Sequence, residues 1–447
     1  MNYVYFVLSV IAGRMTLLKN LANQGIVVFL VYLFLCLPAN AENYTIDQII
    51  EISLQRNELL KSARLMLQSY TWQKKEVSVP GNPVISVLSG SKTVQAPAAV
   101  EYNSSGIYYT PGSTSRGTFN GVSLSVPVRI PGKRNLEKKI IDDDRSEAIV
   151  TIEETELYLR HEIIGLLYKN QSLQEKLEHA SEEMQRMQLI KTYISRKPKL
   201  SPRVRLDASI VKNRYLMLEK RIMELNAERE SVENDLAFFH GMETTPQVKV
   251  PWFEKGVAVD TETVLQQTLE NNPTIRKRQI QRERIGREIQ LAKKKKIPDV
   301  SLLAQYSQEV AGARDRFVNF GVSMELPVFN KSGKHSMALQ SRLKSEEARN
   351  NFITGRLKSD AQKALREYQS QLQIVRKFPY SSFHELHNNL NFAEAEFKKG
   401  RVSVGEFMDF IDKAHDMHTE IVEAQVKLLQ AYLTVLQLKG DKTFEVQ

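Results

Sequence analysis

Glu406 and Asp409 stand three residues apart and follow Gly400 by six and nine positions. Residues i and i+3 share one face of a helix. These carboxylates would therefore project together, and copies around a symmetric pore would form a ring that binds cations and sets selectivity. The plainer use of acidic residues at such a place is to favour a helix N-terminus through its dipole. Histidines also come in i,i+3 pairs, His384/His387 and His415/His418. Two imidazoles without a third ligand make a poor metal site, so neither a bound metal nor a cofactor is expected. Basic residues gather in short clusters: Lys74-Lys75, Lys293–Lys296, Arg129, Lys133, Arg134, Lys331 and Lys334. Signatures of catalysis are missing: there is no Walker A sequence, no His-Glu-x-x-His and no Gly-x-Ser-x-Gly. Ser332-Gly333-Lys334-His335 lacks the preceding glycine of a phosphate loop. An enzyme is not expected, and any work the chain takes part in must be driven by a partner.

These residues are carried by a 447-residue chain that is 42% hydrophobic and 26% charged, with a formal net charge of +10 and a mean hydropathy of −0.35. That balance excludes a disordered chain and a bundle of membrane helices. Cys36 is the single cysteine, which removes disulfide frameworks, zinc-finger clusters and iron–sulfur sites. Residues 1–41 read as an export signal peptide. Ile26–Leu37 is an unbroken apolar run of 12 residues, Lys19 gives a positive flank, and Ala39-Asn40-Ala41 has the small-x-small form of a cleavage site. Counted from Met15 the signal has ordinary length, so Met15 is the expected start and Ala41 the last residue removed. The run falls short of the ~20 apolar residues that span a bilayer. Without residues 1–41 the chain keeps 60 basic against 52 acidic residues. For an exported chain that excess points to an anionic membrane surface rather than to nucleic acid.

The remainder is a tandem repeat, expected over 42–250 and 251–447. Thr45-Ile46-Asp47-Gln48-Ile49-Ile50 is answered by Asp260-Thr261-Glu262-Thr263-Val264-Leu265, and Pro83-Val84-Ile85-Ser86 by Pro298-Asp299-Val300-Ser301. Gly121-Val122-Ser123-Leu124-Ser125-Val126-Pro127-Val128 is answered by Gly321-Val322-Ser323-Met324-Glu325-Leu326-Pro327-Val328. Each copy begins with helical spacing over 46–79 or 261–296. The period then changes to two: Val122, Leu124, Val126, Val128 and Phe320, Val322, Met324, Leu326, Val328 alternate with small or polar residues. Strands are thus predicted within about 83–128 and 298–328, one hairpin per copy, with long connections over 89–118 and 307–317. Helical hairpins follow over about 132–240 and 333–439. The first descending helix, some 63 residues without proline, would span roughly 95 Å. Its turn falls at Arg196–Pro202; the second copy turns at Lys399-Gly400-Arg401 and carries a proline, Pro379, that should at least kink its descending helix.

Four strands cannot close a barrel, and an alternating apolar face needs lipid or a core beside it. Three chains would supply 12 strands and remove every edge. Helices of that length cannot lie in ~30 Å of hydrocarbon, so they must project from it. The basic clusters sit where strands meet helices and would collar the barrel at the level of anionic headgroups, or form an ordinary solvated face.

The spacing Phe397-x-x-Gly400, with Glu406 and Asp409 beyond it, the run Ile421–Gly440 and the twofold order of elements resemble the TolC-like outer-membrane efflux proteins of Gram-negative bacteria. Pro131-Gly132-Lys133-Arg134 is similar to a turn of the heavy-metal branch. The resemblance implies a mainly α fold with a small β part. It further implies a homotrimer whose 12-stranded transmembrane barrel continues into a periplasmic α-helical barrel. That channel would passively conduct substrate delivered by an inner-membrane pump and a periplasmic adaptor. It places a periplasmic gate at Glu406, Asp409 and, by alignment of the first copy, Asp207. Docking of the adaptor at the tips falls to Phe397, Gly400, Arg401, Ser403, Pro198 and Ser201. Pro198 stands where a glycine is expected, and Val204 where the first copy's other carboxylate would be. Two alternatives stay open: a soluble periplasmic coiled-coil adaptor or scaffold, and an outer-membrane duct for secreted protein. Metal ions, drugs and proteins all remain open as cargo.

Overall fold

The computed structural model describes residues 44–128, 131–196, 201–241, 248, 250–311, 313–325 and 331–444. The expected signal peptide, Arg129, Pro198, Leu326 and Val328 lie outside the described residues. The chain is mostly helical. Helices α1 (Ile46–Arg56) and α2 (Glu58–Ser78) lead to strands β1 (Val84–Ala96), β2 (Ala99–Asn103), β3 (Gly106–Thr110) and β4 (Ser113–Val128), then to α3 (Lys133–Ser195) and α4 (Pro202–His240). The order recurs as α5 (Thr261–Asn271), α6 (Pro273–Lys294), β5 (Val300–Ala311), β6 (Ala313–Met324), α7 (Lys331–Lys377), α8 (Ser382–Lys398) and α9 (Val404–Lys439).

The opening helix of each copy, read as continuous over 46–79 and 261–296, is in fact two helices. An asparagine breaks it each time. The Asn57 side chain accepts from the Leu60 N–H at 3.1 Å and starts α2, and Asn272 accepts from the Thr274 N–H at 2.9 Å and starts α6, where Pro273 takes the first position. A side-chain cap competes well with one more helical turn at such a residue. Asn272 Nδ2 also donates to the Leu438 carbonyl at 2.9 Å, tying this break to the end of α9.

β1, β4, β5 and β6 form one antiparallel sheet in that order, so β4–β5 joins the two copies. The strands are longer than the alternation alone marked. Most of 89–118 is strand, with β2 and β3 as a small separate hairpin, and β5 and β6 take up most of 307–317. The register sorts the faces. Ile85, Leu124, Ala304 and Phe320 make one cross-strand row, Val87, Val122, Tyr306 and Val318 the next on the same face; Ser86, Ser123, Gln305 and Asn319 make a row on the other. The apolar rows are bare: Val87 is 74% and Phe320 83% exposed. Strands β1 and β6 are the sheet's two unpaired edges.

The helices pack as coiled-coil seams. On α4, Val211, Leu218, Leu225 and Val232 are buried every seven residues, and on α9 Val404, Ile411, His418, Gln425 and Tyr432 repeat the same interval beside Phe407, Ala414, Ile421, Leu428 and Val435. A seven-residue repeat keeps one stripe against a partner helix. Halfway along, Phe253 stacks on Tyr432 at 5.0 Å, and the Tyr368 hydroxyl accepts from the Val257 N–H at 2.6 Å. Pro379 does more than kink: α7 stops at Lys377 and α8 begins at Ser382, because proline cannot donate and its ring clashes with the preceding turn.

Candidate functional site

The second tip is built by local hydrogen bonding. After α8, Gly400 adopts φ +74°, the left-handed conformation that a side chain would strain; its N–H donates to the Phe397 carbonyl at 2.9 Å and the Arg401 N–H to the Glu396 carbonyl at 3.0 Å. This pair of bonds is the usual glycine close of a helix. Lys399 Nζ and Arg401 Nη1 donate to the Glu396 carboxylate at 2.7 and 3.0 Å and hold it below the usual carboxylate range. Ser403 then opens α9 with a capping box: its N–H donates to Glu406 Oε2 at 2.8 Å, and the Glu406 N–H donates to its hydroxyl at 3.3 Å. These bonds, with the charge of Arg203 from the first turn of α4, hold Glu406 below its usual range as well. One turn on, the exposed Asp409 is bridged by Lys413 at 2.7 Å.

The influence of Arg203 on Glu406 brings the two tips together. Asp207, half-buried, lies on α4 one turn from Arg203, and Ser201 holds the N-cap position of α4 without a side-chain cap bond. Phe397 is fully buried, stacked on Phe407 at 4.8 Å and edge-on to Tyr193 of α3 at 4.9 Å. A cavity of about 830 Å³ between α3 and α4, lined by Ile194, Val204, Val211 and Tyr215, opens beside the first tip.

Above the tips, α3, α4 and α9 meet around a buried polar knot that spacing in the sequence did not mark. Glu183, 1% exposed, is bridged by Arg214 at 3.2 Å and has His415 Nδ1 3.1 Å away, and Arg214 also pairs with Asp412 at 2.5 Å. His179 and His418 lie ring to ring with centroids 4.2 Å apart; His415 is 5.7 Å from His179, and Phe383 of α8 is 4.6 Å from His418. Burial drives the His179 pKa down to about 3 and that of His418 down to about 4, so both rings are neutral at pH 7. The sequence pairs His415 with His418 by spacing; the structure instead puts His179 against His418. A signal existed: His179 and Glu183 continue the buried stripe of Leu173, Ala180, Met187 and Ile190. His387 faces Glu182 at 3.6 Å instead. Among the described residues no group of three or more His, Cys, Asp or Glu side chains is placed to hold a metal ion.

The basic clusters separate into bound and free members. Lys133 leaves the expected collar: it is buried, and its Nζ donates to the Ile297 carbonyl at 2.6 Å and to Asp299 at 3.0 Å, because the turn into α3 folds over the start of β5. Lys74 is bridged to Asp142 at 2.7 Å. Lys293–Lys296 stay exposed at the end of α6.

About nine tenths of the chain superposes on solved outer-membrane channels. The structures of CusC, described in terms of folding and transmembrane channel formation, include one matched at a TM-score of 0.68 and 15% identity over 90% of this chain and 93% of that one. The CmeC outer membrane channel of Campylobacter jejuni matches at 0.67 and 12% over 91% and 88%. The open state of the MtrE outer membrane channel of Neisseria gonorrhoeae matches at 0.67 and 13% over 89% of each. No protein-family model and no curated protein matches the sequence. The chain has the fold of the TolC-like outer-membrane channels. No helix among the described residues is long and apolar enough to cross a membrane.

Proposed function

We propose that three copies of this chain form an exit duct in the outer membrane of a Gram-negative cell. The sheets would close into a 12-stranded barrel, and the helices would continue it as a tunnel through the periplasm. The sheet carries this reading: bare apolar rows on one face, serine, glutamine and asparagine on the other, and two unpaired edges. Unpaired edges are untenable in hydrocarbon, and a neighbouring copy removes them. Exposed Leu206, Ile210 and Met217 on α4 supply an apolar stripe for a neighbour's helices. Lys293–Lys296 rest on anionic headgroups, each contributing about 1 kcal/mol. The repeats 42–250 and 251–447 supply the pseudo-sixfold wall.

Conduction is passive, and the chain acts as a channel rather than an enzyme. A periplasmic adaptor, itself coupled to an inner-membrane pump, docks at Ser201, Pro198, Gly400, Arg401 and Ser403, with Phe397 backing that surface from inside. Glu406, Asp409 and Asp207 line the closed tip as carboxylate rings; the capping bonds of Glu406 fix where its charge stands. Single-channel conductance of the purified protein in planar bilayers tests both parts. A small conductance blocked by a trivalent cation from the tip side, with block lost in Asp409→Ala and Glu406→Ala, is the expected outcome. Unchanged block moves the gate elsewhere. Failure of well-folded protein to insert overturns the duct in favour of the periplasmic scaffold.

A further inference from the structure

The knot between the two helical hairpins lies apart from the sheet and from the proposed gate residues, and its arrangement is costly. His179 and His418 are 6% and 1% exposed, and His179 Nδ1 and both ring nitrogens of His418 have no hydrogen-bond partner. Unpaired buried polar atoms cost about 1–3 kcal/mol each, so an apolar pair would pack better here. What the imidazoles add is the capacity to take a proton.

We propose that the His179–His418 pair is an acid-sensitive latch between the hairpins: neutral rings hold α9 against α3, and protonation drives the two helices apart. Every packed element supplies titratable or charged groups around this point. Helix α3 presents Lys176, which faces His418, and Arg186, which faces His179, together with Glu183 as the opposing carboxylate. Helix α4 presents Arg214, which is shared between Glu183 and Asp412. From α9 come His415, which also faces Glu183, and Asp412 and Asp416; Glu423 is held by Lys176. From α8 come Phe383 against the His418 ring, His387 on Glu182, and Glu394 on Arg186. Glu183 and Asp412 pair with Arg214 and Glu423 with Lys176, and the two tilted rings are 4.2 Å apart between centroids. Among the described residues no carboxylate forms an ion pair with His179 or His418, and burial keeps a new imidazolium from solvent until α9 moves away. Buried apolar residues on either side, Leu173 and Val422 toward the sheet and Met187 and Ile411 toward the tips, confine the loosening to the hairpin junction. The latch lies outside the sheet and does not depend on whether the chain conducts.

Site-resolved exchange of the histidine C2 hydrogens, read by mass spectrometry on the unaltered protein, reports each ring's titration. His179 and His418 should titrate below pH 5; midpoints near 6.5 overturn the proposal. Backbone amide exchange, corrected for the intrinsic pH effect, should speed up at least tenfold over 176–190 and 408–425 between pH 7.5 and 5, and less than twofold where α3 faces α6. Uniform or absent acceleration overturns it. In His179→Phe/His418→Phe the rings stay packed without a titrating nitrogen, and the acid response should fall below twofold; His415→Gln should keep it. A double variant that retains the full response also overturns the proposal. If the double variant fails to fold, the measurements on the unaltered protein decide.

Discussion

Helix α3 meets the second half of the chain along two seams that differ in kind. Toward the sheet it faces α6 through charged pairs: Asp144 with Arg284 at 2.8 Å, Glu153 with Arg276 at 2.6 Å, and Asp143 with Arg287 and Glu154 with Lys277 in addition. Toward the tips it faces α9 through buried aliphatic and aromatic side chains, with the histidine knot set among them. Partly exposed ion pairs are individually weak and screened by salt, whereas close-packed apolar contacts resist any change of register. The upper seam therefore tolerates altered charge, and the lower one fixes where the tips stand.

That contrast can be broken in stages. Phe397→Ala removes a fully buried ring between Phe407 and Tyr193 and should cost about 3–5 kcal/mol. Thermal denaturation and amide exchange at the tip would register it. Glu183→Ala strips the buried carboxylate from Arg214 and His415, and loss of one partner in a buried pair should cost about 3 kcal/mol; urea titration measures it.

Acid should separate the seams by sign. Histidines whose pKa is lowered on folding bind fewer protons in the native state, so the stability they confer is present above about 6.5 and is lost as pH falls toward the native values of about 3 for His179 and about 4 for His418. Each pH unit inside that window removes about 1.4 kcal/mol per histidine. In the upper seam burial raises Asp143 and Asp144 despite their arginine partners; raised carboxylates gain native stability as pH falls through the acid range of carboxylates. Asp412, also raised by burial, acts in the same sense in the lower seam but only in that low range. Between pH 6.5 and 5 only the lower seam should weaken, as seam-resolved amide exchange would show.

Smaller effects complete the series. Ser403→Ala breaks the capping box and should cost about 1 kcal/mol, with fraying of the first turn of α9 in exchange data. Arg284→Ala should cost under about 1 kcal/mol, and 1 M salt should erase the difference in melting temperature from the parent. A larger, salt-independent loss there would erase the distinction between the seams.

Much of this architecture was legible from local chemistry. The change of period from 3.6 to two marked the strands, and the prolines at 202 and 379 and Gly400 marked the helix breaks. Each depends on residues within one turn of one another, so backbone geometry and turn chemistry decide them without the rest of the chain. The asparagine breaks at Asn57 and Asn272 were missed because a polar residue within an amphipathic stretch reads equally well as its solvent face.

The sequence by itself determined the twofold repeat, the alternating strands, the long helices and the carboxylates beyond Gly400, since period and spacing are properties of the chain alone. Only the tertiary structure decided that β4 pairs with β5 to make one sheet, that Lys133 is buried on Asp299 rather than free for lipid, and that His179 lies against His418. Those outcomes depend on which faces of distant helices and strands come into register, and burial and electrostatics act between them only after packing has brought them together.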